Sequence, residues 1–166
     1  MSKSPPATPD ELLRRLDDLG LKTRTVAHPA VFTVEQARAL RGDLPGAHSK
    51  NLFLKDKKGR LWLVVALADR QIDLKALRHQ IGAATLSFGK PDLLLEVLGI
   101  EPGSVTPFAV INDTEKRVQM VLDKAMLELE PLNFHPLTNT ATTQISATDL
   151  LSFLDALGLQ PMIVEL

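Results

Sequence analysis

Three short segments of the chain combine residue types that can do chemistry. The first contains Lys50 and Asn51, which precede the apolar residues Leu52 to Leu54 and so stand at the mouth of a predicted strand. A lysine in that position either extends its ammonium into solvent, which is the ordinary outcome, or is fixed beside a pocket as a cation. The spacing alone leaves both possibilities open.

The second segment runs from Gly103 to Phe108 and includes Pro107. A glycine lets a ligand approach the backbone closely, and a proline fixes the direction of the chain into the next element. An ordinary loop that enters a strand explains the same composition. The composition by itself favours that simpler interpretation.

The third segment centres on His135, whose neighbour Pro136 favours extended backbone at the histidine. Thr and Asn residues follow closely and could orient the imidazole ring. His28 is also followed by proline, and Thr33 lies a few residues downstream. A lone histidine is more often a structural donor than a catalyst, so the residue types do not decide its role.

Several classes of site are excluded. The chain has no cysteine, which rules out disulfides, thiol catalysis and cysteine-based zinc sites. Its 4 histidines show neither H-x-x-x-H nor H-E-x-x-H spacing, so no metal site is expected. The sequence also lacks a G-x-S-x-G elbow and a phosphate-binding loop, and no cofactor is expected.

Composition fits one folded domain that spans residues 1–166. Of the 166 residues, 45% are hydrophobic and 23% are charged, and the formal net charge of -1 argues against binding nucleic acid through bulk charge. The longest apolar run, Leu61 to Ala68, is too short to span a bilayer, and no secretory leader is visible. We therefore expect a soluble cytoplasmic protein without membrane contacts, whose residues 1–7 form a frayed end.

Caps, apolar stripes and turn signals predict the elements that must position the three segments. Helices are expected at 8–19, 33–40, 73–81, 92–98 and 146–157, and strands at 22–27, 52–54, 61–67, 108–111, 118–122 and 162–164. Asp56 to Gly59 marks a hairpin turn between two of the strands. The fold class is therefore α+β, with a central mixed, largely antiparallel sheet and flanking helices.

Taken together, the segments resemble the YbaK/ProX family of aminoacyl-tRNA deacylases, which are free-standing relatives of the prolyl-tRNA synthetase editing domain. Four stretches in the same order carry the resemblance: His28 to Thr33, Ser49 to Asp56, Gly103 to Phe108 and Phe134 to Leu137. The sequence looks most like the ProX (PrdX) branch, which removes alanine from mischarged tRNA(Pro). Ala30 stands where the common family pattern has proline.

The resemblance implies roles for particular residues. Lys50, Gly103 and His135 would be catalytic: the lysine would counter charge on the developing oxyanion, the glycine backbone would contact the substrate carbonyl or water, and the histidine would shape the pocket. Whether that histidine or a 2′-hydroxyl of the tRNA activates water stays open. The substrate-binding residues would be Asn51, Pro107, Phe108, His28 and Thr33.

The implied partner is mischarged tRNA(Pro), with prolyl-tRNA synthetase or an elongation factor as further candidates. Four cations of the predicted hairpin would either touch the acceptor stem or be solvated: Lys55, Lys57, Lys58 and Arg60. Two alternatives to an alanine-specific enzyme remain, a Cys-tRNA(Pro) deacylase of the same family and a catalytically silent tRNA-binding paralogue. The sequence does not indicate the oligomeric state.

Overall fold

Short helices alternate with the strands of one mixed sheet in the computed structural model, which describes residues 5–30, 35–36, 39 and 44–166. The helices are α1 (Pro9–Asp18), α2 (Leu74–Ile81), α3 (Pro91–Leu98) and α4 (Ala147–Ala156). The strands are β1 (Thr23–Ala27), β2 (Ala47–Asp56), β3 (Leu61–Leu67), β4 (Leu86–Phe88), β5 (Val118–Asp123), β6 (Leu132–Phe134), β7 (Ala141–Ile145) and β8 (Met162–Val164). Three 3₁₀ turns complete the described elements: Pro102–Ser104, Pro107–Asn112 and Met126–Glu128.

The strand order in the sheet is β1-β7-β6-β2-β3-β5-β8, and β4 pairs with β2. Four of the described pairings are antiparallel and three are parallel. The predicted α+β class with a mixed sheet is therefore confirmed. No helix in the described part of the chain is long and apolar enough to cross a bilayer.

One edge of β2 carries an interruption that matters for the site. The N-terminal end of β2 pairs with β6 through Ala47 and His48 only, and its C-terminal end pairs with β4 from Leu54 onward. The N–H of Gly89 donates to the carbonyl of Phe53 and closes the second end. Among the described residues, no strand therefore pairs with the edge from residue 49 to residue 52, and we call this interruption the split.

The two faces of the sheet are covered unequally. The larger core cluster lies on one face and includes buried residues of α1, α3 and α4. The opposite face is covered by α2, whose Leu77 and Ile81 pack with Leu54, Trp62 and Val64. Among the described elements, α2 covers the half of this face near β3, and the half formed by β6 and β7 carries polar residues.

The helix ends follow the predicted capping chemistry. Thr8 and Glu11 form the expected reciprocal capping box at the start of α1. Asp73 caps α2, and Gly82 ends it in the left-handed conformation. At the start of α4 the Ser146 hydroxyl accepts from the N–H of Asp149, whose carboxylate accepts from the N–H of residue 22.

One local prediction is wrong, and two others fall wholly or partly outside the described residues. Residues 108–111 form a 3₁₀ helix rather than a strand, because Pro107 starts the turn and the Thr106 hydroxyl accepts from the N–H of Phe108. Of the expected frayed end, residues 1–4 are not among the described residues, and the N–H of Ala7 donates to Asn112 Oδ1 at 2.8 Å. Most of the predicted helix at 33–40 is not among the described residues.

Candidate functional site

The split brings Lys50 and His135 to matching positions on two neighbouring strands. The parallel register pairs Ala47 with Leu132 and His48 with Asn133. Two residues further along each strand are Lys50 and His135, and β6 has ended just before the histidine. Because side chains alternate along a strand, both project from the face on which His48 and Asn133 lie.

Lys50 is a partly buried cation at the split. It lies opposite Ala66 of β3, a small residue with 0% exposure. Within the described residues, no carboxylate lies within 4.0 Å of its ammonium, and no hydrogen bond fixes it. An ammonium without a counterion beside a gap in a sheet is suited to an anionic ligand or a developing negative charge.

His135 has a defined tautomer. Its Nδ1 lies 3.2 Å from the carbonyl oxygen of Ala141, and because a carbonyl only accepts, Nδ1 must carry the hydrogen. Burial lowers the pKa of His135 below its ordinary 6.5, the hydrogen bond to Ala141 opposes this, and the charge of His28 lowers the pKa further. The ring is therefore neutral near pH 7, and its Nε2 is an acceptor.

His28 is held between two partners. Its Nδ1 donates to the carbonyl of Pro29 at 2.8 Å, and its Nε2 shares a hydrogen bond of 2.8 Å with the hydroxyl of Thr142. Thr142 is in turn the residue that would face His135 if the β6–β7 pairing continued by one position. Both ring nitrogens of His28 are thus hydrogen-bonded. The effect of His28 on His135 is electrostatic, since its charge lowers the pKa of His135.

A buried polar floor supports the strands around the split. Asn133 Nδ2 donates to the carbonyls of Pro45 and Ala47 at 3.1 and 3.0 Å. Gln144 Nε2 donates to the Pro45 carbonyl and to Asn133 Oδ1 at 3.1 and 3.2 Å. Since buried amides that are fully hydrogen-bonded are rigid, this floor fixes the segment that leads into β2 relative to β6 and β7.

Asn51 alternates with Lys50 and projects from the opposite face. Its Nδ2 donates to Ser49 Oγ at 3.3 Å, and that hydroxyl donates to the Asn133 carbonyl. Asn51 Oδ1 is buried and has no hydrogen-bond partner in the structure. A buried acceptor without a donor carries a free-energy cost of roughly 1–3 kcal/mol, which a donating ligand would recover.

Gly103 lies on the exposed turn Pro102–Ser104 beside the loop that follows His135. A Cβ placed on Gly103 would come within 4 Å of a single group, Asn139 Nδ2 at 3.4 Å. Its backbone is thus open to a ligand and its φ is not one that only glycine adopts. The side chain of Asn139, in the loop between β6 and β7, therefore lies close to this turn.

The other expected site residues differ in placement. Phe108 has 0% exposure, and its ring packs edge-on against Phe134 and Phe153 at centroid distances of 5.8 and 5.6 Å. Pro107 is buried beside it. Both therefore support the site from the core rather than line an open surface. Thr33 lies outside the described residues.

No group of three or more histidines and carboxylates that could hold a metal ion converges within residues 5–30 and 44–166. The site described above is built from an ammonium, an imidazole, an amide and backbone groups. Such a set suits the polarisation and hydrolysis of an activated ester, because positioning, an oriented water and stabilisation of negative charge suffice there.

Comparison with known proteins identifies the class. Residues 28–153 match the family model described as the aminoacyl-tRNA editing domain. The chain belongs to this family. The matched range contains every site segment described above, from His28 to the loop after His135.

The editing domain also has curated relatives over most of its length. It is 45% identical over 160 residues to the mouse "Prolyl-tRNA synthetase associated domain-containing protein 1", covering 93% of this chain and 94% of that protein. It is 37% identical over 148 residues to "Prolyl-tRNA editing protein ProX" of Acetoanaerobium sticklandii, covering 89% and 90%. It is 29% identical over 124 residues to the Escherichia coli "Multifunctional Ser/Thr-tRNA deacylase ProXp-y", covering 73% and 72%.

Solved structures share the fold of this editing domain. The crystal structure of a candidate trans-editing enzyme for prolyl-tRNA synthetase superposes with a TM-score of 0.70, covers 96% of this chain and 98% of its own, and is 21% identical. The structure of hypothetical protein APE2540 gives a TM-score of 0.72 at 20% identity, covering 92% and 97%. These likenesses confirm the expected fold.

The polar residues that support the site are absent from the sequence predictions. Asn133, Thr142 and Gln144 are buried and hydrogen-bond the segments that carry Lys50, His28 and His135. The alternation in residues 141–145, with Thr142 and Gln144 on one face, is the pattern that predicts them. They therefore fix the segments that carry the candidate site relative to one another.

Proposed function

We propose that this editing domain hydrolyses the ester that links alanine to the terminal adenosine of mischarged tRNA(Pro). The observation that carries the proposal is the split, where Lys50, an ammonium without a counterion among the described residues, lies on the same face as an imidazole acceptor, His135 Nε2. The family membership supports an aminoacyl-tRNA ester as the substrate class, and the similarity to "Prolyl-tRNA editing protein ProX" supports a prolyl tRNA as its carrier.

The physical need for such an enzyme follows from the size of alanine. A synthetase pocket shaped for proline cannot strongly reject a smaller side chain, because missing methylene groups are worth only ~1–3 kcal/mol. A second site that admits alanine and excludes proline completes the discrimination. The cytoplasm, where aminoacyl-tRNA is made and used, is the corresponding location.

In the proposed reaction, water adds to the ester carbonyl carbon and the bond to the ribose oxygen then breaks. The Lys50 ammonium stabilises the negative charge that develops on the carbonyl oxygen. His135 Nε2 accepts a hydrogen bond from the attacking water or from the neighbouring 2′-hydroxyl of the ribose. The proton finally resides on the ribose oxygen, and alanine leaves as the free amino acid.

Two further groups would position the substrate. Asn51 Oδ1 would accept a hydrogen bond from the α-ammonium of the alanyl group or from a ribose hydroxyl, which satisfies the oxygen that lacks a partner in the structure. The open backbone at Gly103 would contact the carbonyl end of the ester, where a side chain would obstruct it.

A deacylation assay on purified protein with Ala-, Cys- and Ser-tRNA(Pro) tests the proposal. Ala-tRNA(Pro) should be hydrolysed fastest, and Lys50→Ala should remove that activity. Preferential hydrolysis of Cys-tRNA(Pro) would assign the chain to the cysteine-specific branch. Tight tRNA binding without hydrolysis of any ester would show a silent binding module and would overturn the enzymatic proposal.

A further inference from the structure

We propose that a groove beside β4 binds the unpaired 3′ segment of the substrate tRNA, with one base stacked on Phe88 and phosphates held by Lys55, Lys57 and Lys90. This inference rests on the proposed function, since it names how the tRNA reaches the split. The groove has a volume of about 640 Å³ and is lined by these four residues together with Asp56, Leu93 and others.

Phe88 is the most exposed large apolar side chain among the described residues, with 63% of its surface accessible. It ends β4, a strand that pairs on one side only, with β2. Its ring is not needed in the core, because Leu86 of the same strand supplies the buried contact. An accessible aromatic face at a strand end is suited to stacking against a nucleic-acid base.

The lysines of the groove are available for phosphate. Lys55, Lys57 and Lys90 are exposed, and in the described part of the chain none has a carboxylate within 4.0 Å. Three cations that have no carboxylate partner among the described residues thus line the same groove as an exposed aromatic ring, in a chain of net charge -1. This combination matches the cationic grooves with stacking platforms that bind single-stranded nucleic acid.

The groove also contains three carboxylates, which equal its three lysines in formal charge, but two of these carboxylates are held by other partners. The Asp56 carboxylate is 2% exposed and accepts hydrogen bonds from the chain around it. Glu96 forms an ion pair with Arg117 at 3.1 Å. Asp92 lies in the first turn of α3, where the helix dipole favours an acid.

Only two of the four hairpin cations line the groove. Lys55 and Lys57 line the groove, whereas the guanidinium of Arg60 packs over the Trp62 ring at 4.5 Å from its centroid. Lys58 lies on the turn and is not among the lining residues. A contact with the acceptor end would therefore involve the first pair, together with Lys90, which follows β4 and is absent from the sequence prediction.

The groove lies at a suitable distance from the split. Phe88 is in register with Leu54, which is four residues from Lys50 along β2 and therefore about 13 Å away. Stacked nucleotides advance about 3.4 Å each, so three or four of them span this distance. With the terminal adenosine at Lys50, a base near the start of the unpaired 3′ segment would reach Phe88.

The test compares two substrates that share the ester. Hydrolysis of Ala-tRNA(Pro) and of the minimal ester alanyl-adenosine is measured for wild type and Phe88→Ala. We expect KM for Ala-tRNA(Pro) to rise about 10-fold, because stacking of one base is lost, while kcat/KM for alanyl-adenosine is unchanged. Phe88→Trp should retain the wild-type KM, and Ile163→Ala, which removes another exposed apolar side chain, should have no effect.

A measurement of tRNA binding tests the groove independently of ester hydrolysis. The Kd of uncharged tRNA(Pro) is measured by fluorescence anisotropy as a function of salt for Lys55→Gln, Lys90→Gln and the exposed control Lys75→Gln. Each groove variant should weaken binding and reduce the slope of log Kd against log salt by about 1, and the control should not.

The outcomes are distinguishable. Wild-type protein that hydrolyses neither ester overturns the proposed function, whereas the tRNA affinities still test the groove. An unchanged tRNA Kd in Phe88→Ala overturns the groove proposal, and if that variant instead loses affinity for prolyl-tRNA synthetase, the groove is a protein-docking surface. An equal loss of kcat/KM on both esters would also overturn the proposal, because it would give Phe88 a role in the split itself.

Discussion

Lys50 and His135 stand two residues beyond the last paired positions of β2 and β6, His48 and Asn133, and project from the same face. The pairing stops there because β6 ends at Phe134 while β2 continues along β3. The two strands therefore form the sides of an opening rather than a continuous sheet. This relationship makes the consequences of substitution specific enough to test.

Replacing Lys50 by alanine should lower the rate of Ala-tRNA(Pro) hydrolysis by about 10²–10³. The ammonium has no partner among the described residues, so its loss removes charge stabilisation without breaking a structural contact. Single-turnover kinetics and the urea midpoint measure the two effects. Lys58→Ala, on the exposed turn, is the matched control, and wild-type turnover in Lys50→Ala would remove this residue from the site.

A pair of glycine substitutions separates activity from stability. In Gly103→Ala the new Cβ meets only Asn139 Nδ2 at 3.4 Å, so the melting temperature should hold while activity falls because the Cβ intrudes on the substrate. Gly82→Ala should do the reverse, since its φ of +71° costs an L-residue about 1 kcal/mol although space is open around it. A Gly103→Ala variant with full activity would contradict contact between the backbone and the ester.

The pH dependence of hydrolysis should show an acidic limb with a midpoint below 6.5, since burial lowers the pKa of His135 and only the neutral ring accepts at Nε2. His28→Gln should move this limb to higher pH, because the charge of His28 lowers the pKa of His135. His79→Gln, on the exposed side of α2, should leave the profile unchanged. An unaltered limb in a His135→Gln variant would assign it to another group.

The lowered pKa of His135 also makes the free energy of unfolding depend on pH. The unfolded chain takes up a proton at His135 near pH 6.5, whereas the folded chain does so only at lower pH. The free energy of unfolding therefore falls as the pH drops from about 6.5 to the pKa of the folded state, and this loss should be absent in His135→Gln. Urea titrations at a series of pH values measure it.

Asp56→Asn should destabilise the fold by roughly 1–3 kcal/mol. The carboxylate accepts from the backbone of Lys58 and Arg60 at 2.9 and 3.0 Å and from Trp62 Nε1 at 3.3 Å, and Ala84 N–H also donates to it. Burial raises the pKa of Asp56, but these hydrogen bonds outweigh it and leave the pKa below 3.8.

The sign of the pH effect at Asp56 follows. Its contribution to stability is present above the unfolded pKa near 3.8 and is lost as the pH falls through the lower pKa of the folded state. Acid unfolding of the Asn variant should accordingly be less steep over that range. Asp155→Asn, at an exposed position of α4, serves as the control, and an equal urea midpoint for both variants would contradict the role of Asp56.

Elements with strong local signals could be predicted from the sequence. The capped helices α1, α2, α3 and α4 and the hairpin of β2 and β3 all form where the pattern indicates. The short strands β4, β6 and β7 could not be predicted from the sequence. The first two have three residues each, too few to show a periodicity, and β7 is made mostly of threonine and glutamine rather than apolar residues. Their conformation is fixed by pairing with residues distant in sequence.

The candidate site divides in the same way. The sequence predicts four site residues in these segments: Lys50, Asn51, Gly103 and His135. Their arrangement in space depends on β6 and on the split, which only tertiary pairing creates. Phe108 shows the opposite case: its position beside Gly103 indicates a site residue, yet the 3₁₀ turn directs its ring into the core. Local sequence therefore predicts which groups are present better than which way they face.

Selectivity for alanine over proline depends on how little the walls of the split can move. The ring of Phe108 is fully buried and supports Phe134, the residue immediately before His135, so this wall is part of the close-packed core. Forcing the extra methylene groups of proline against such a wall costs ~1–3 kcal/mol, which predicts that kcat/KM for Ala-tRNA(Pro) exceeds that for Pro-tRNA(Pro) by about 10- to 100-fold. Phe108→Leu leaves space behind Phe134 and should lower this ratio while Ala-tRNA(Pro) is still hydrolysed. Comparable hydrolysis of both esters by the wild type would rule out the steric mechanism, and with it the proposed preference for alanine.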